Sequence, residues 1–370
     1  MAFQRLVRSP LIEKCSNPEG RAAKALGMAG TIHLFEQLPL VARPEPASEA
    51  PAAAPARRLP LVGVIRNPRS HRSGGSYPEC TAVATLLVEA PARRGDLQAI
   101  LARFAEQRID LLVVDGGDGT VRDVLTCGSG VFGESWPPLI VLPSGKTNAL
   151  AVDLGLPADW SLDEALRIAG EGGTVLRRPL VISQRDNEDA RVLGFAMGAG
   201  LYTAAIGLGQ EAHRKGAFNA VAVGVTTGWT ILRALFGRGD DDALRRATRM
   251  RLHDDAGHPL PHSCLGPEDE RYLLFASTME RFPAGLKPFR HVSGVLRMAL
   301  MDVAKARLLL RIPLIVGGLL RPGAARRGYH LLAIDSFEVD LGDRFILDGE
   351  AFPAGHYRVA TGPKLRFVAP

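Results

Sequence analysis

The residues best suited to chemistry follow a short apolar run, Leu111–Val114. They are Asp115-Gly116-Gly117-Asp118-Gly119-Thr120, and a helical pattern begins at Val121. This order predicts a strand, a tight turn and a helix start. Glycines let the backbone approach a ligand closely, and the first amides of the helix would point at a phosphate in the turn. An ordinary βα turn would also use glycines, but Asp118 adds an oxygen suited to a phosphate-bound Mg²⁺.

Three further polar turns follow apolar runs. Asn67-Pro68-Arg69-Ser70 follows the run 59–65, Ser144-Gly145-Lys146-Thr147-Asn148 follows 138–143, and Asp348-Gly349-Glu350 follows 344–347. Gly-Lys-Thr would fit a Walker A loop, but that motif needs a glycine where Ile140 stands, so we reject it. By itself, a carboxylate pair around a glycine is most simply a solvated turn.

The pattern of elements predicts two domains. Apolar runs at 59–65, 111–115 and 138–143 alternate with helical patterns at 80–88, 96–107 and 149–154, which indicates a parallel α/β sheet with ligands at its carboxyl edge. From Pro179 short strand-like runs dominate, with a helical insertion over 218–236. We therefore predict a flexible N-terminal extension and Pro/Ala linker at 1–58, an α/β domain at 59–178 and a β-rich domain at 179–370, whose last strands could return to the first domain.

Composition limits the classes of partner and the location that we expect. The net charge is +6 and comes from scattered Arg and Lys, so nucleic-acid binding is not indicated, whereas a basic face would favour anionic membranes. The four cysteines have no metal-site spacing, and no signal peptide is recognisable, so a cytoplasmic protein is expected. The apolar stretches 217–232 and 303–320 are too short or too interrupted to span a bilayer and are expected to be core or interfacial segments.

The four turns, in this order, resemble the catalytic domain of the diacylglycerol kinase family, which is related to sphingosine kinases. The GGDGT turn is also shared with NAD kinases. The resemblance runs from about residue 59 to the C-terminus and includes Gly194–Gly200, which is similar to the segment that opens the family's second domain. Its most specific parts are Gly116–Thr120 and Asp348–Glu350.

The resemblance implies an NAD-kinase-like α/β nucleotide-binding domain, a mainly antiparallel β-sandwich domain that receives lipid, and an active cleft between them. It implies ATP and Mg²⁺ as cofactors, with Asp118 in the metal network. Glu350, with Asp348 beside it, matches the catalytic carboxylate pair, and Glu350 is the expected general base. The implied nucleotide-binding residues are Asn67, Pro68, Arg69, Ser70, Gly116, Gly117, Asp118, Gly119, Thr120, Gly145, Lys146, Thr147 and Asn148.

The chain departs from the family pattern at four places. Lys146 stands where a phosphate-contacting Thr is expected, although a lysine can serve a phosphate as a point charge. Ala149 replaces a carboxylate, and Ser293 replaces an Asp that serves a structural Mg²⁺ in some members. Arg122 stands where the family often has Asn.

Three functions therefore remain open from the sequence. The favoured one is an ATP-dependent kinase that phosphorylates a hydroxyl of a diacylglycerol-like or sphingoid lipid, with peripheral contact at the inner face of the membrane. An NAD-kinase-like enzyme with a soluble acceptor is the second. A lipid- or nucleotide-binding protein that has lost catalysis is the third, and the retained Asp118, Asp348 and Glu350 argue against it.

Overall fold

A six-stranded sheet of order β2-β1-β3-β4-β18-β5 forms the first part of the fold. In the computed structural model, the described residues are 37–42, 57–70, 81, 83–203, 247–263, 265–303, 310–319 and 327–370. The predicted helical insertion at 218–236 lies outside them. The strands of this sheet are β1 Leu61–Arg66, β2 Thr85–Glu89, β3 Leu111–Gly116, β4 Leu139–Pro143, β5 Thr174–Arg177 and β18 Leu365–Val368.

Strands β1 to β4 are parallel to one another, and the continuous apolar runs of β1, β3 and β4 predict this arrangement. Residues Val62–Ile65 of β1 are all buried. Strand β18, from the C-terminus of the chain, runs parallel to β4 and antiparallel to β5. The last residues of the protein therefore complete the sheet that the first domain begins.

Four helices cover this sheet: α1 Asp96–Glu106, α2 Asp118–Phe132, α3 Ala149–Leu154 and α4 Leu162–Gly170. Helix α1 buries Leu97, Ile100, Leu101 and Phe104, the three- and four-residue spacing of one helix face. Helix α4 begins at Ser161, whose hydroxyl accepts a hydrogen bond from Glu164 N. Helix α1 agrees with the helix predicted over 96–107.

The predicted helix over 80–88 is wrong. Residues Thr85–Glu89 form β2, an edge strand paired in parallel with β1 from Leu61 opposite Thr85 to Ile65 opposite Glu89. Thr85-Leu86-Leu87-Val88 is a short apolar run, which periodicity alone cannot assign to strand or helix. Hydrogen bonding to β1 makes this run a strand.

Two antiparallel sheets form the second part of the fold. One has the order β10-β9-β14-β17-β6-β7, and the other has the order β13-β12-β11-β8-β15-β16. Their strands are β6 Leu180–Gln184, β7 Asn187–Gly194, β8 Ala196–Gly200, β9 Thr248–His253, β10 Glu270–Arg271, β11 Leu273–Ser277, β12 Arg297–Met301, β13 Tyr329–Ala333, β14 Ser336–Leu341, β15 Phe345–Leu347, β16 Glu350–Phe352 and β17 Gly355–Thr361. A short helix, α5, spans Ile312–Val316.

Alternate residues of both antiparallel sheets share one buried cluster, the arrangement of a β-sandwich core. Leu180 and Ile182 of β6 belong to it, as do Met197 and Ala199 of β8. The predicted order of an α/β region followed by antiparallel strands is confirmed.

The antiparallel part of the fold contains a buried ion cluster around Asp302. The carboxylate of Asp302 accepts hydrogen bonds from Arg271 Nη1 at 2.6 Å, His330 Nε2 at 2.8 Å and Ser263 Oγ at 2.6 Å. Burial alone would raise the pKa of Asp302, but the hydrogen bonds from His330 and Ser263 outweigh it and lower that pKa to about 2. Asp302 is therefore held as a carboxylate.

Helix α2 joins the two parts of the fold, because it packs on β7. Leu193 N of β7 donates to Thr126 Oγ1 of the helix at 3.0 Å. Residues 37–42, within the predicted N-terminal extension, pair with the outer edge of the same strand, where Val41 N donates to Asp189 O at 2.8 Å. Within the described ranges, no helix is long and apolar enough to cross a bilayer.

Candidate active site

The loops that follow β1, β3 and β4 meet at the carboxyl edge of the parallel sheet. Asn67 Nδ2 donates to Thr120 Oγ1 at 2.9 Å, which ties the first loop to the GGDGT turn. Ser144 Oγ donates to Asp115 Oδ1, which ties the third loop to β3. Three of the four turns identified in the sequence are thus brought together.

Glycines make this convergence possible. A Cβ added to Gly145 would lie 2.5 Å from Gly117 Cα, and one added to Gly117 would lie 3.0 Å from Gly145 Cα. Because both contacts are with backbone, neither loop could accept a side chain there without moving. The two loops therefore form one continuous backbone surface.

Asn148 shapes the loop after β4. It adopts the left-handed conformation (φ 49°), its Oδ1 accepts from Gly145 N at 2.9 Å, and its Nδ2 donates to Gly145 O at 2.9 Å and to Pro143 O at 3.2 Å. Asparagine tolerates this conformation better than most residues. Lys146 and Thr147 consequently lie on the exposed outside of the loop.

Asp118 lies between the first turn of α2 and the N-terminus of α3. Its carboxylate accepts from Ala149 N at 2.9 Å and from Leu150 N at 3.1 Å, two of the amides left without partners at a helix start. Burial raises the pKa of Asp118, against the opposing effect of these hydrogen bonds and of Arg122. Ala149, which stands where the family has a carboxylate, therefore contacts Asp118 through its backbone N–H.

Asp348 and Gly349 are the two central residues of the hairpin turn between β15 and β16. Both have positive φ, 46° and 82°, as in a type I′ turn, for which Asp-Gly is a preferred sequence. The Asp348 carboxylate accepts from Phe195 N at 3.0 Å and from Ala196 N at 2.9 Å. Burial, followed by repulsion from Asp118, raises the pKa of Asp348 to about 7. Arg122 Nη1 of α2 donates to Leu347 O at 3.5 Å, so the fourth turn lies against the helix that the GGDGT turn begins.

Glu350 is buried in an ion network that the sequence did not reveal. Its carboxylate pairs with Arg122, which is only 2% exposed, and accepts from Arg94 Nη2 at 3.3 Å. Asp123 closes the network, at 2.7 Å from Arg94 Nε and 2.9 Å from Arg122 Nη2. Two guanidinium groups and two carboxylates thus form one ion network beside the DGE turn.

Sequence reasoning missed Arg94 and Asp123 as members of the site. Arg94 lies in the loop after β2, and the erroneous helix over 80–88 hid that this loop also lies at the carboxyl edge. Asp123 is one helical turn after Thr120, so its position in the first turns of α2 was the available signal. Arg122 was recognised only as a departure from the family pattern.

The donor set fits a divalent cation bound with phosphate. Asp118 and Asp348 repel each other in a poorly hydrated place, and a cation beside them would relieve that repulsion. Carboxylate oxygens are the ligands that Mg²⁺ prefers. Among the described residues, no three Asp, Glu, His or Cys side chains form a complete metal site, so phosphate oxygens and water would complete the coordination.

The protein thus has an α/β sheet joined to two antiparallel sheets, and glycine loops and carboxylates lie at the junction. Residues 64–176 match the family model described as "Diacylglycerol kinase catalytic domain", so the resemblance seen in the motifs is confirmed for this segment.

Two curated relatives match part of the chain. The chain is 35% identical over 82 residues to "Probable lipid kinase YegS-like" of Cronobacter sakazakii, and 30% identical over 91 residues to "Probable lipid kinase YegS" of Shigella flexneri. These matches cover 22% and 25% of this chain. The chain spans less than a third of the length of these relatives, 27% and 30%.

Solved structures show the same fold over a longer range. A crystal structure of a diacylglycerol kinase from Bacillus anthracis str. Sterne has a TM-score of 0.53 at 16% identity, and it covers 85% of this chain and 98% of that chain. A second crystal structure from that strain has a TM-score of 0.58 at 16% identity, with 85% and 99% covered. At this identity, the likeness concerns the fold.

Proposed function

We propose that this protein is an ATP- and Mg²⁺-dependent lipid kinase that transfers the γ-phosphate of ATP to a hydroxyl of a diacylglycerol-like or sphingoid lipid. The observation that carries the proposal is that Asp118 and Asp348, which repel each other, lie with the two glycine loops where the parallel sheet meets the antiparallel sheets. The family match over residues 64–176 supports the same class of reaction.

The nucleotide would lie across the loops at the carboxyl edge of an NAD-kinase-like sheet. Gly116–Thr120 opens α2, whose N-terminal amides favour phosphate oxygens. Lys146 is exposed on the neighbouring loop and would add a positive charge. Residues 67–70, held to Thr120 through Asn67, would contact the rest of the nucleotide.

Mg²⁺ would be held by Asp118 together with the phosphates, and it would neutralise charge on the transferring group. Asp118 is well fixed for this role because two backbone amides of α3 hold its carboxylate. Each of its oxygens keeps a further lone pair for the ion or for a water on it.

The contacts favour Asp348 over Glu350 as the general base. Both oxygens of Glu350 already accept charge-assisted hydrogen bonds from guanidinium groups, so protonation would have to break one. Asp348 has a pKa raised to about 7, near the value that suits a base at neutral pH. Glu350, the base expected from the sequence, would instead hold Arg94 and Arg122 in the cleft.

The acceptor class can be tested directly. Purified protein is incubated with γ-labelled ATP and Mg²⁺, either with a total lipid extract or with NAD, and the label is followed into each product. A lipid kinase transfers label to the organic-extractable fraction alone. Label on NAD would establish the NAD-kinase-like alternative, and binding of ATP without transfer to any acceptor would establish a binding protein.

A further inference from the structure

Four exposed leucines cluster on one surface of the second part of the fold. Leu310, Leu314 and Leu319 on and beside α5 are 61%, 45% and 61% exposed, and Leu286 is 39% exposed. A leucine exposed singly needs no explanation, but a contiguous group marks an interaction surface. We call these four residues the leucine patch.

Three contacts connect the segments that carry these leucines. Leu319 N donates to Leu314 O at 2.7 Å. His291 Nε2 lies 3.0 Å from Gly318 O, and a Cβ on Gly318 would lie 2.5 Å from Lys287 O. The segment after Leu286 therefore lies directly against the residue before Leu319.

Basic side chains surround the patch. Lys287 and Arg290 are exposed and Arg311 is partly exposed. Within the described part of the chain, no carboxylate lies within ion-pair distance of these three groups. Their charge is thus left for an anionic partner. Lys305 and Arg307, which the sequence placed in the same segment, lie outside the described residues.

A row of aromatic rings leads inward from this surface. Phe289, in the same buried cluster as Ile315 of α5, stacks on Phe275 with ring centroids 5.5 Å apart. Phe275 stacks in turn on Tyr202 at 5.2 Å. Tyr202 lies over β8, because a Cβ added to Gly198 would lie within contact distance of its ring, and Gly198 pairs with Ile346 of β15, the strand that leads into the DGE turn. The row therefore connects the leucine patch with the proposed catalytic carboxylate.

We propose that the leucine patch docks on an anionic phospholipid bilayer, with the leucines inserted among the acyl chains and Lys287, Arg290 and Arg311 against the headgroups. Apolar residues ringed by basic ones are the combination that binds such interfaces reversibly. A symmetric dimer through the same patch would bring two basic rims together, so a bilayer is the better electrostatic match. The proposal rests on the proposed function for its purpose, since a lipid kinase must reach its acceptor, but docking itself requires no catalysis.

The test is co-sedimentation of the full chain with vesicles of phosphatidylcholine alone or with phosphatidylglycerol. The wild type binds the anionic vesicles, and raising the salt from about 0.1 M to about 0.5 M releases most of it. Leu314→Glu weakens binding roughly tenfold or more because it puts a charge into the apolar layer. Leu176→Glu is the matched control, since Leu176 is 56% exposed on β5 and belongs to the other part of the fold. Lys287→Glu weakens binding, whereas the control Lys364→Glu, at an exposed lysine elsewhere, changes it less.

Three outcomes would overturn the proposal: no binding of the wild type to anionic vesicles at low salt, equal losses in Leu314→Glu and Leu176→Glu, or a wild-type dimer in light scattering that Leu314→Glu dissociates. All four variants change exposed side chains, and their unfolding midpoints verify the fold. Kinase activity on detergent-dispersed lipid is measured in parallel. An active protein that does not bind vesicles refutes docking alone, and a protein that binds vesicles in this manner without activity refutes the proposed function alone.

Discussion

The Glu350→Gln substitution separates the two candidate bases most sharply. It keeps the size of the side chain and removes its charge, in a place where Glu350 pairs with Arg122 and Arg94. We expect the variant to lose stability more clearly than it loses turnover.

The expected loss of stability follows from the network. Removing one partner of a buried ion pair costs about 3–5 kcal/mol. Arg122 keeps Asp123 at 2.9 Å, and the amide oxygen of Gln can still accept one hydrogen bond, so we expect about 2 kcal/mol. At roughly 2–4 °C per kcal/mol for a domain of 150–250 residues, the unfolding midpoint falls by about 4–8 °C. With Asp348 as the base, turnover falls by about tenfold or less, since misplaced guanidinium groups affect only positioning.

The assay is thermal unfolding by circular dichroism together with steady-state kinetics on lipid. Glu171→Gln is the control, because Glu171 pairs with Arg167 on the exposed surface of α4, where an ion pair contributes little. It should change neither quantity measurably. An unchanged midpoint for Glu350→Gln, combined with a loss of turnover of about 10²–10⁴-fold, would show that Glu350 is the base and would refute our reading of the network.

Three further predictions concern the loops and the ionised groups. Gly145→Ala forces the two glycine loops apart and should weaken ATP binding about tenfold or more in calorimetry, whereas Gly170→Ala, with nothing within 4 Å of its added Cβ, should not. The pKa of Asp302 is lowered from 3.8 to about 2, so its carboxylate stabilises the fold fully above about pH 5. This contribution of roughly 2 kcal/mol is lost as the pH falls through 2. The difference in unfolding free energy between wild type and Asp302→Asn, measured in urea, should therefore narrow by that amount in acid. Asp348 has a pKa of about 7 in the metal-free protein, and Mg²⁺ beside it would lower that pKa, so kcat/KM should rise with pH over a range at or below about 7. Asp348→Asn should lose about 10²–10⁴-fold and flatten this profile, and a wild-type rate in that variant would exclude Asp348 as the base.

The sequence predicted the parts of the site that depend on local backbone chemistry. Gly116–Thr120 has the residue types that a tight turn and a close backbone approach require, and the family resemblance added Gly145 to the expected site. The Asp348-Gly349 pair reflects a hairpin turn with two positive φ angles, which is also a local property. Such features can be recognised without knowing what lies opposite them.

The parts that sequence could not predict depend on distant contacts. Strand β2 has a local pattern compatible with either regular structure, and its pairing with β1 decides the matter. The salt bridge between Arg94 and Glu350 joins residues 256 positions apart, and no local signal marks either as the other's partner. The pairing of Glu350 therefore became visible only in the fold, and with it the reason to favour Asp348 as the base.

The central claim is that Asp118 organises Mg²⁺ and ATP for phosphoryl transfer to lipid. Its most direct test compares the wild type with Asp118→Asn for Mg²⁺-dependent transfer of label from γ-labelled ATP to extracted lipid. Asn keeps only one oxygen for the amides of Ala149 and Leu150, so we expect the variant to lose about 1 kcal/mol of stability. The unfolding midpoint of each protein is therefore measured together with its rate. We expect label in lipid for the wild type and none above background for a folded Asp118→Asn. Equal incorporation by the two proteins would contradict it.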